Sequence, residues 1–318
     1  MVVHVLGSVY RRPVRYVVRI GTEEKEDSGL YSLLQQFHVS KRRNHATQAS
    51  FKLDSQLDED EAWSVLQEAC AIGDPIVVEA DFGQKRERIM RGRICGISRD
   101  TPEPGNRFAV NLECQDESIR LQKRREHKIW SPDRSVSDQF IVSTVLTKYG
   151  LDLDPTSAQG SQCSALEQNA TDYDFLRQRA EVNRYELLFE HDQVYFGPMR
   201  FDARPQKSIQ VIGAQANCAR FSVRRHDQAP PGFGFIRAEG ELDGGHYGHV
   251  LHVGKPVEVN ALDECYGGMY YVDTVKHSFT RTSYRQEFNL LRQFDTDNCV
   301  GDFSVNTITL PGSLYQLL

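Results

Sequence analysis

The chain has 318 residues, of which 39% are hydrophobic and 26% charged, with a formal net charge of -6. This is the make-up of a globular protein with room for several cores, and its mild negative charge argues against general affinity for nucleic acid. Seven cysteines, an odd number with no C-x-x-C pair, argue against a disulfide framework or a zinc site and read as reduced thiols. No apolar run reaches the length of a membrane helix, and arginines interrupt the N-terminal apolar residues where a signal peptide needs continuity, so a cytoplasmic product is expected.

Residues 1–125 read as mostly β. Short strands are expected at 14–20, 47–53, 75–80, 89–98 and 108–113, separated by turn-rich or charged connections that suggest a barrel or sandwich. One helix interrupts them at 58–71, where Ala62, Val65, Leu66, Ala69 and Cys70 form an apolar stripe and carboxylates crowd the N-terminus. The basic clusters Lys41-Arg42-Arg43 and Lys123-Arg124-Arg125 are read as solvated.

Between 126 and 207 the period changes. Ser135 or Ser137 can cap a helix with Ile141, Val145 and Tyr149 on one face and Gly150 as its left-handed stop. A short extended piece at 151–153 and a polar loop at 158–164 follow. Thr171 is a second N-cap, with Asp174 at the third helical position, and Tyr173, Leu176 and Ala180 form the apolar face. Leu187 and Phe189, then Val194 and Phe196, alternate around the turn His191-Asp192, so a hairpin follows the helix and stops at Gly197-Pro198.

From 208 the strand period returns at 208–212, 219–223, 250–253, 256–260, 270–279 and 284–291, with a Gly- and Pro-rich loop expected over 227–245. Strict alternation in the fifth of these strands would put Tyr271, Asp273, Val275 and His277 on one face. The aromatics Tyr270, Tyr271 and Phe279 near Lys276 read as half-buried strand residues, not as a base-stacking platform. Residues 295–318 form a C-terminal arm ending in Leu314, Tyr315, Leu317 and Leu318.

Candidate chemistry is sparse. His246, His249 and His252 recur at spacing three in a Gly-rich stretch and form the one conceivable metal or catalytic cluster, although i and i+3 point to opposite faces of a strand. No phosphate-binding loop, nucleophile elbow or H-E-x-x-H helix is present, and Asp58-Glu59 and Asp152 with Asp154 read as cap and loop residues. No catalytic, cofactor-binding or metal residue and no cofactor is assigned.

The stretch TDYDFLRQRAEVNRYELLFEHDQVYFGP at 171–198 resembles the capped helix and F-G-P hairpin of the phage late control D family. That family supplies baseplate hubs of contractile tails and injection systems and is related to the hub portion of the type VI secretion spike protein. The segments GKPVEVN at 254–260, GGMYYVDTVKHSF at 267–279 and YRQEF at 284–288 are similar to its closing strands. The resemblance implies a mainly β fold with an α+β insert: a first tube-like β-barrel domain at 1–125, an α/β domain at 126–207, a second tube-like β-barrel domain at 208–294 and the arm at 295–318. It further implies a non-enzymatic homotrimer that adapts a six-fold tail tube to a three-fold spike and lines the channel. Its partners would be the spike protein, the tail tube protein and other baseplate subunits, with no membrane and no sequence-specific nucleic acid. The protein would stay in the bacterial cytoplasm until it enters the baseplate of a virion or injection particle. No β-helix repeat follows, so the spike would be a separate polypeptide and the apolar arm would help dock it. A metal-dependent or carbohydrate-cleaving tail enzyme using His246, His249 and His252 is the alternative.

Overall fold

The computed structural model describes residues 14–21, 34–55, 70–100, 108–213, 215–224, 235–261, 266–293 and 303–306. The N-terminal β region comprises β1 (Arg15–Ile20), β2 (Leu34–Arg42), β3 (Gln48–Ser55), β4 (Pro75–Asp81), β5 (Arg86–Asp100) and β6 (Phe108–Asp116). A 3-10 helix at Glu117–Gln122 leads into the α/β unit. That unit contains β7 (Arg125–Trp130), β8 (Val136–Ser137), α1 (Asp138–Thr147), β9 (Asp152–Leu153), β10 (Gln162–Cys163), β11 (Leu166–Thr171), α2 (Asp172–Asn183), β12 (Glu186–Glu190) and β13 (Gln193–Gly197). The second β region has β14 (Gln206–Gln210), β15 (Cys218–Arg224), β16 (Phe235–Asp243), β17 (Pro256–Asn260), β18 (Gly268–Thr280), β19 (Tyr284–Gln293) and β20 (Phe303–Asn306).

The architecture is mainly β with an α/β insert, and the large sheet curls into a half-barrel. Both β regions contribute to that one 13-stranded sheet, in the order β1-β4-β5-β6-β3-β2-β18-β19-β16-β15-β20, with β17 on β18 and β14 on β17. Strand β18 makes the junction. Its first residues pair with β17, and Thr274–Thr280 pair with Arg42–Gln36 of β2 along the same edge. A bulge at Asp273 separates the two partners, as an extra residue bends a strand and increases its twist.

Three cores form. The first buries Phe37, Phe51, Ile76, Val78, Ile94 and Leu112, and is completed by Phe279 and Tyr284 from the second region. Phe37 stacks on Phe51 and Phe279, with ring centroids 5.1 and 4.7 Å apart. The second buries Phe221, Val257, Tyr270, Val272, Val275 and Phe288, and the third joins α1, α2 and the β12–β13 hairpin through Ile141, Val145, Phe175, Leu176, Leu187 and Phe196.

The caps of the α/β unit form as the sequence predicts: Ser137 Oγ accepts from Phe140 N at 3.2 Å and Thr171 Oγ1 from Asp174 N at 3.1 Å. Gly150 takes the left-handed conformation after α1, with φ of 63°. His191, at the hairpin turn, has φ of 62°.

Several expectations need correction. Residues 235–243, read as part of a loop, are strand β16, and residues 244–247 form one helical turn. Residues 250–253, read as a strand, are irregular because side chains satisfy their backbone N–H groups. The bulge at Asp273 breaks the expected alternation, so Tyr270 and Val272 share a core with Val275 while Tyr271 reaches the hairpin residue Glu186. Strands β2, β7 and β11 have no counterpart in the sequence reading. The expected helix at 58–71 lies outside the described residues up to position 69. Of the C-terminal arm, the described part, β20, pairs antiparallel with β15 of its own sheet.

Candidate functional site

Two features stand out on the sheet: one solvated polar face, and a polar seam between the cores. On the solvated face, register aligns Gln115, Gln48, Ser40, Lys276, Glu287, Glu241 and Arg220 across β6, β3, β2, β18, β19, β16 and β15. The adjacent row runs Glu113, Ser50, His38, Ser278 and Arg285. Every one of these side chains is polar and at least partly exposed. Strand alternation creates this face, since the intervening residues Phe37, Val39, Ala49, Phe51, Leu112 and Val275 are buried. Cross-strand bonds tie it together: His38 Nδ1 lies 3.0 Å from Ser278 Oγ, and Arg285 Nη1 lies 3.1 Å from Glu241 Oε1. Charges of both signs intersperse, and a groove of about 370 Å³ lined by Arg42, Arg237, Glu239, Asp273, Thr274 and Asn289 opens on it.

On the buried face, polar residues occupy positions where the strands call for apolar ones. Lys41 on β2, His277 on β18 and Gln286 on β19 are all buried between the first and second cores. Gln286 Oε1 accepts from Leu251 N at 2.7 Å, and its Nε2 donates to His249 O at 2.8 Å. Val250 N donates to Glu87 Oε2 on β5 at 2.7 Å, and His252 N to Gln206 Oε1 on β14 at 2.8 Å. Three successive amides thus bind side chains from three strands, with Val250 in the first core and Leu251 in the second. The segment staples the two halves of the sheet.

The hairpin closes on this seam. Glu190, His191, Gln193 and Tyr195 face Glu87, Arg88, His252 and Lys255 across a cleft of about 360 Å³. Burial favours the neutral form of Glu190, but Lys255, 3.1 Å away, and then His252 and Lys41 hold its carboxyl down at about 2. Burial, reinforced by the Lys41 ammonium, depresses His252 to about 3 and His191 to about 4. Burial also lowers Lys41, against the pull of Glu190 and Asp116. Both imidazoles are therefore neutral near pH 7, and the cleft is held by Glu190 and its cations.

The three sequence candidates diverge. His246 Nδ1 lies 3.2 Å from Asp243 Oδ1 at the helical turn, His249 Nδ1 lies 2.9 Å from Glu87 Oε1, and His252 Nδ1 lies 3.4 Å from Glu190 Oε1. Among the described residues, no group of three or more His, Cys, Asp or Glu side chains is arranged to hold a metal ion. Among the described residues Cys70, Cys95, Cys114, Cys163 and Cys218 form no disulfide. Among the described residues no helix is long and apolar enough to cross a membrane. Lys41, expected to be solvated with Arg42 and Arg43, is buried, and Glu186, Glu190 and Gln286 had no sequence expectation. Lys41 and Gln286 carry the signal of a polar residue at an apolar phase of its strand, whereas Glu186 and Glu190 lie on the phase opposite Leu187 and Phe189 and carry none.

Comparison with known proteins gives one family and one fold. The family model described as the Alg8 N-terminal domain matches residues 14–216. No curated protein matches the chain in sequence. Among solved structures, the chain is similar to the tail protein from Neisseria meningitidis MC58, with a TM-score of 0.67 at 10% identity over 88% of this chain and 97% of that one. It is similar to the 43 kDa tail protein of prophage MuSo2 from Shewanella oneidensis, with a TM-score of 0.61 at 10% identity over 88% and 98%. A third likeness, with a TM-score of 0.58 at 10% identity over 89% and 77%, is to the E. coli c3393 protein, a component of the type VI secretion system with structural similarity to the T4 bacteriophage tail proteins gp27 and gp5. The fold is that of tail proteins.

Proposed function

This chain belongs to the Alg8 N-terminal domain family, and from that premise and its tail-protein fold we propose that it is a structural, non-enzymatic baseplate hub protein. The particle would be a contractile phage tail, a tailocin or an extracellular contractile injection system. Three copies would form a ring that adapts a six-fold tail tube to a three-fold spike, bind the spike, tube and other baseplate subunits, and line the central channel. The protein would assemble in the bacterial cytoplasm before entering the baseplate.

The observation that carries this reading is the polar ladder from Gln115 to Arg220. A seven-strand row without an apolar residue suits a wall that stays wet while something passes along it, whereas a face that buries against a partner gains stability from an apolar centre. Mixed charge on that wall would limit adhesion to a cargo of either sign. The E. coli protein of similar fold, itself a secretion-system component, supports the same setting.

The test is electron microscopy of the chain co-expressed with the spike protein of its own locus. A three-fold ring with Lys276 and Glu287 facing the lumen is expected. A particle in which those residues are sealed in a subunit interface, or a monomer with and without the spike, overturns the proposal.

A further inference from the structure

We propose that the outer face of the β7–β11 ribbon is a docking site for an extended acidic segment of another protein, its apolar side chains seated on Ile129 and its carboxylates on Lys123, Arg124 and Arg125. The ribbon stands apart from the large sheet: among the described residues β7 pairs with β11 alone, from Arg125 opposite Thr171 to Trp130 opposite Leu166. Its inner face is committed. Trp130 is buried against Phe175, and its Nε1 donates to Gln168 Oε1 at 2.9 Å. The outer face carries Arg125, His127 and Ile129 opposite Thr171, Asn169 and Glu167, and Ile129 is 59% exposed.

Charge selects the occupant. Lys123, Arg124 and Arg125 are consecutive and exposed, in a chain whose net charge is negative. The Arg124 side chain is 84% exposed and its nearest carboxylate, Glu126, is 3.9 Å away, while the Arg125 guanidinium rests on the Asn169 carbonyl at 3.0 Å. On the outer face itself Glu167 is the one carboxylate among the paired residues. Ile129 shares the outer phase of β7 with Arg125 and His127, Lys123 and Arg124 directly precede that strand, and among the described residues neither strand of the ribbon pairs with a third. These are the components of recognition by strand addition: backbone bonds for affinity, side-chain seats for selectivity. A two-stranded ribbon, marginal alone, gains from a third strand.

The experiment is fluorescence anisotropy of the purified chain with a short fluorescein-labelled peptide of alternating Glu and Val at about 50 mM salt, where surface charges are weakly screened. Saturable binding is expected, weakened at least about tenfold in Arg124→Glu/Arg125→Glu and in Ile129→Asp, and within about twofold of the parent in Lys52→Glu, at an exposed position of β3 opposite Gln36 of β2. Unchanged far-UV circular dichroism establishes that these exposed substitutions leave the fold in place. No saturation up to about 1 mM, an equal loss in Lys52→Glu, or tighter binding of a single-stranded oligonucleotide overturns the proposal.

Discussion

The Tyr271 hydroxyl lies 2.6 Å from Glu186 Oε2, joining the central strand β18 to the first residue of the β12–β13 hairpin. It also lies 2.9 Å from the Gly254 carbonyl and accepts from Arg200 N at 3.2 Å. One hydroxyl proton faces two acceptors. Burial raises the Glu186 carboxyl, against Tyr271, Arg43 and Arg200, and Arg43 Nε lies 3.4 Å from its Oε1. Glu186→Gln, whose amide can donate to the Tyr271 oxygen, is expected to cost less than about 1 kcal/mol. Glu186→Ala and Tyr271→Phe should cost about 1–3 kcal/mol each, because each leaves buried polar atoms without partners. Urea unfolding of the three variants decides the order.

A second buried pair organises the α/β unit. Asp138 at the start of α1 accepts from Arg179 Nε of α2 at 2.7 Å and from Asn183 Nδ2 at 2.7 Å, and Asp138 is fully buried. Arg179→Ala strands that carboxylate and should destabilise the protein by about 3 kcal/mol. Replacing Arg177, which makes an exposed pair with Glu181, should change the urea midpoint little.

Strand β16 can exist only because Gly240 is bare. A Cβ there would collide with the Arg220 carbonyl oxygen on β15 and with the Phe288 ring on β19. Both are fixed, one by the ladder and the other by the second core. Gly240→Ala is therefore expected to cost about 2 kcal/mol or more and Gly240→Val to abolish soluble expression, measured by urea midpoint and yield.

The same glycine shows why β16 was illegible in the sequence. Its core positions, Ile236, Ala238, Gly240 and Leu242, include two residues of poor strand propensity, and the constraint that selects them comes from a strand some fifty positions later. Strand β2 hides for a related reason: a register shift after Leu34 breaks its alternation, and a lysine fills the core phase at position 41. Helices α1 and α2 were legible because Ser137 and Thr171 act within their own first turn. The histidine spacing was visible but its meaning was not. Whether His246, His249 and His252 converge depends on Gln286, Glu87 and Gln206, none of them nearby in sequence.

That divergence is measurable. With Asp243, Glu87 and Glu190 each engaging a different histidine, excess Zn²⁺ or a chelator should move the thermal midpoint by less than about 1 °C. A metal-dependent rise of several degrees, lost in His249→Gln, would restore the metal-dependent reading.

Acid should open the seam before it unfolds the cores. His252 and His191 sit at about 3 and 4 in the folded protein, below the ordinary histidine value near 6.5, so the unfolded chain binds more protons between those limits. Their contribution is complete above about pH 6.5 and falls as pH drops towards 4; the Glu190 carboxyl, at about 2, adds the same sign below its ordinary value of 4.5. Glu186 and Asp116, both raised by burial, act oppositely, losing stability as pH rises through their own titration. The comparison that isolates the histidine is His252→Gln against the parent, followed by urea unfolding from pH 7 to 4. The parent should lose stability faster on acidification, by up to about 1 kcal/mol per pH unit, and the variant should flatten that slope. Parallel slopes would mean that His252 keeps an ordinary imidazole, open to water, and that Lys41 and Lys255 do not govern the cleft.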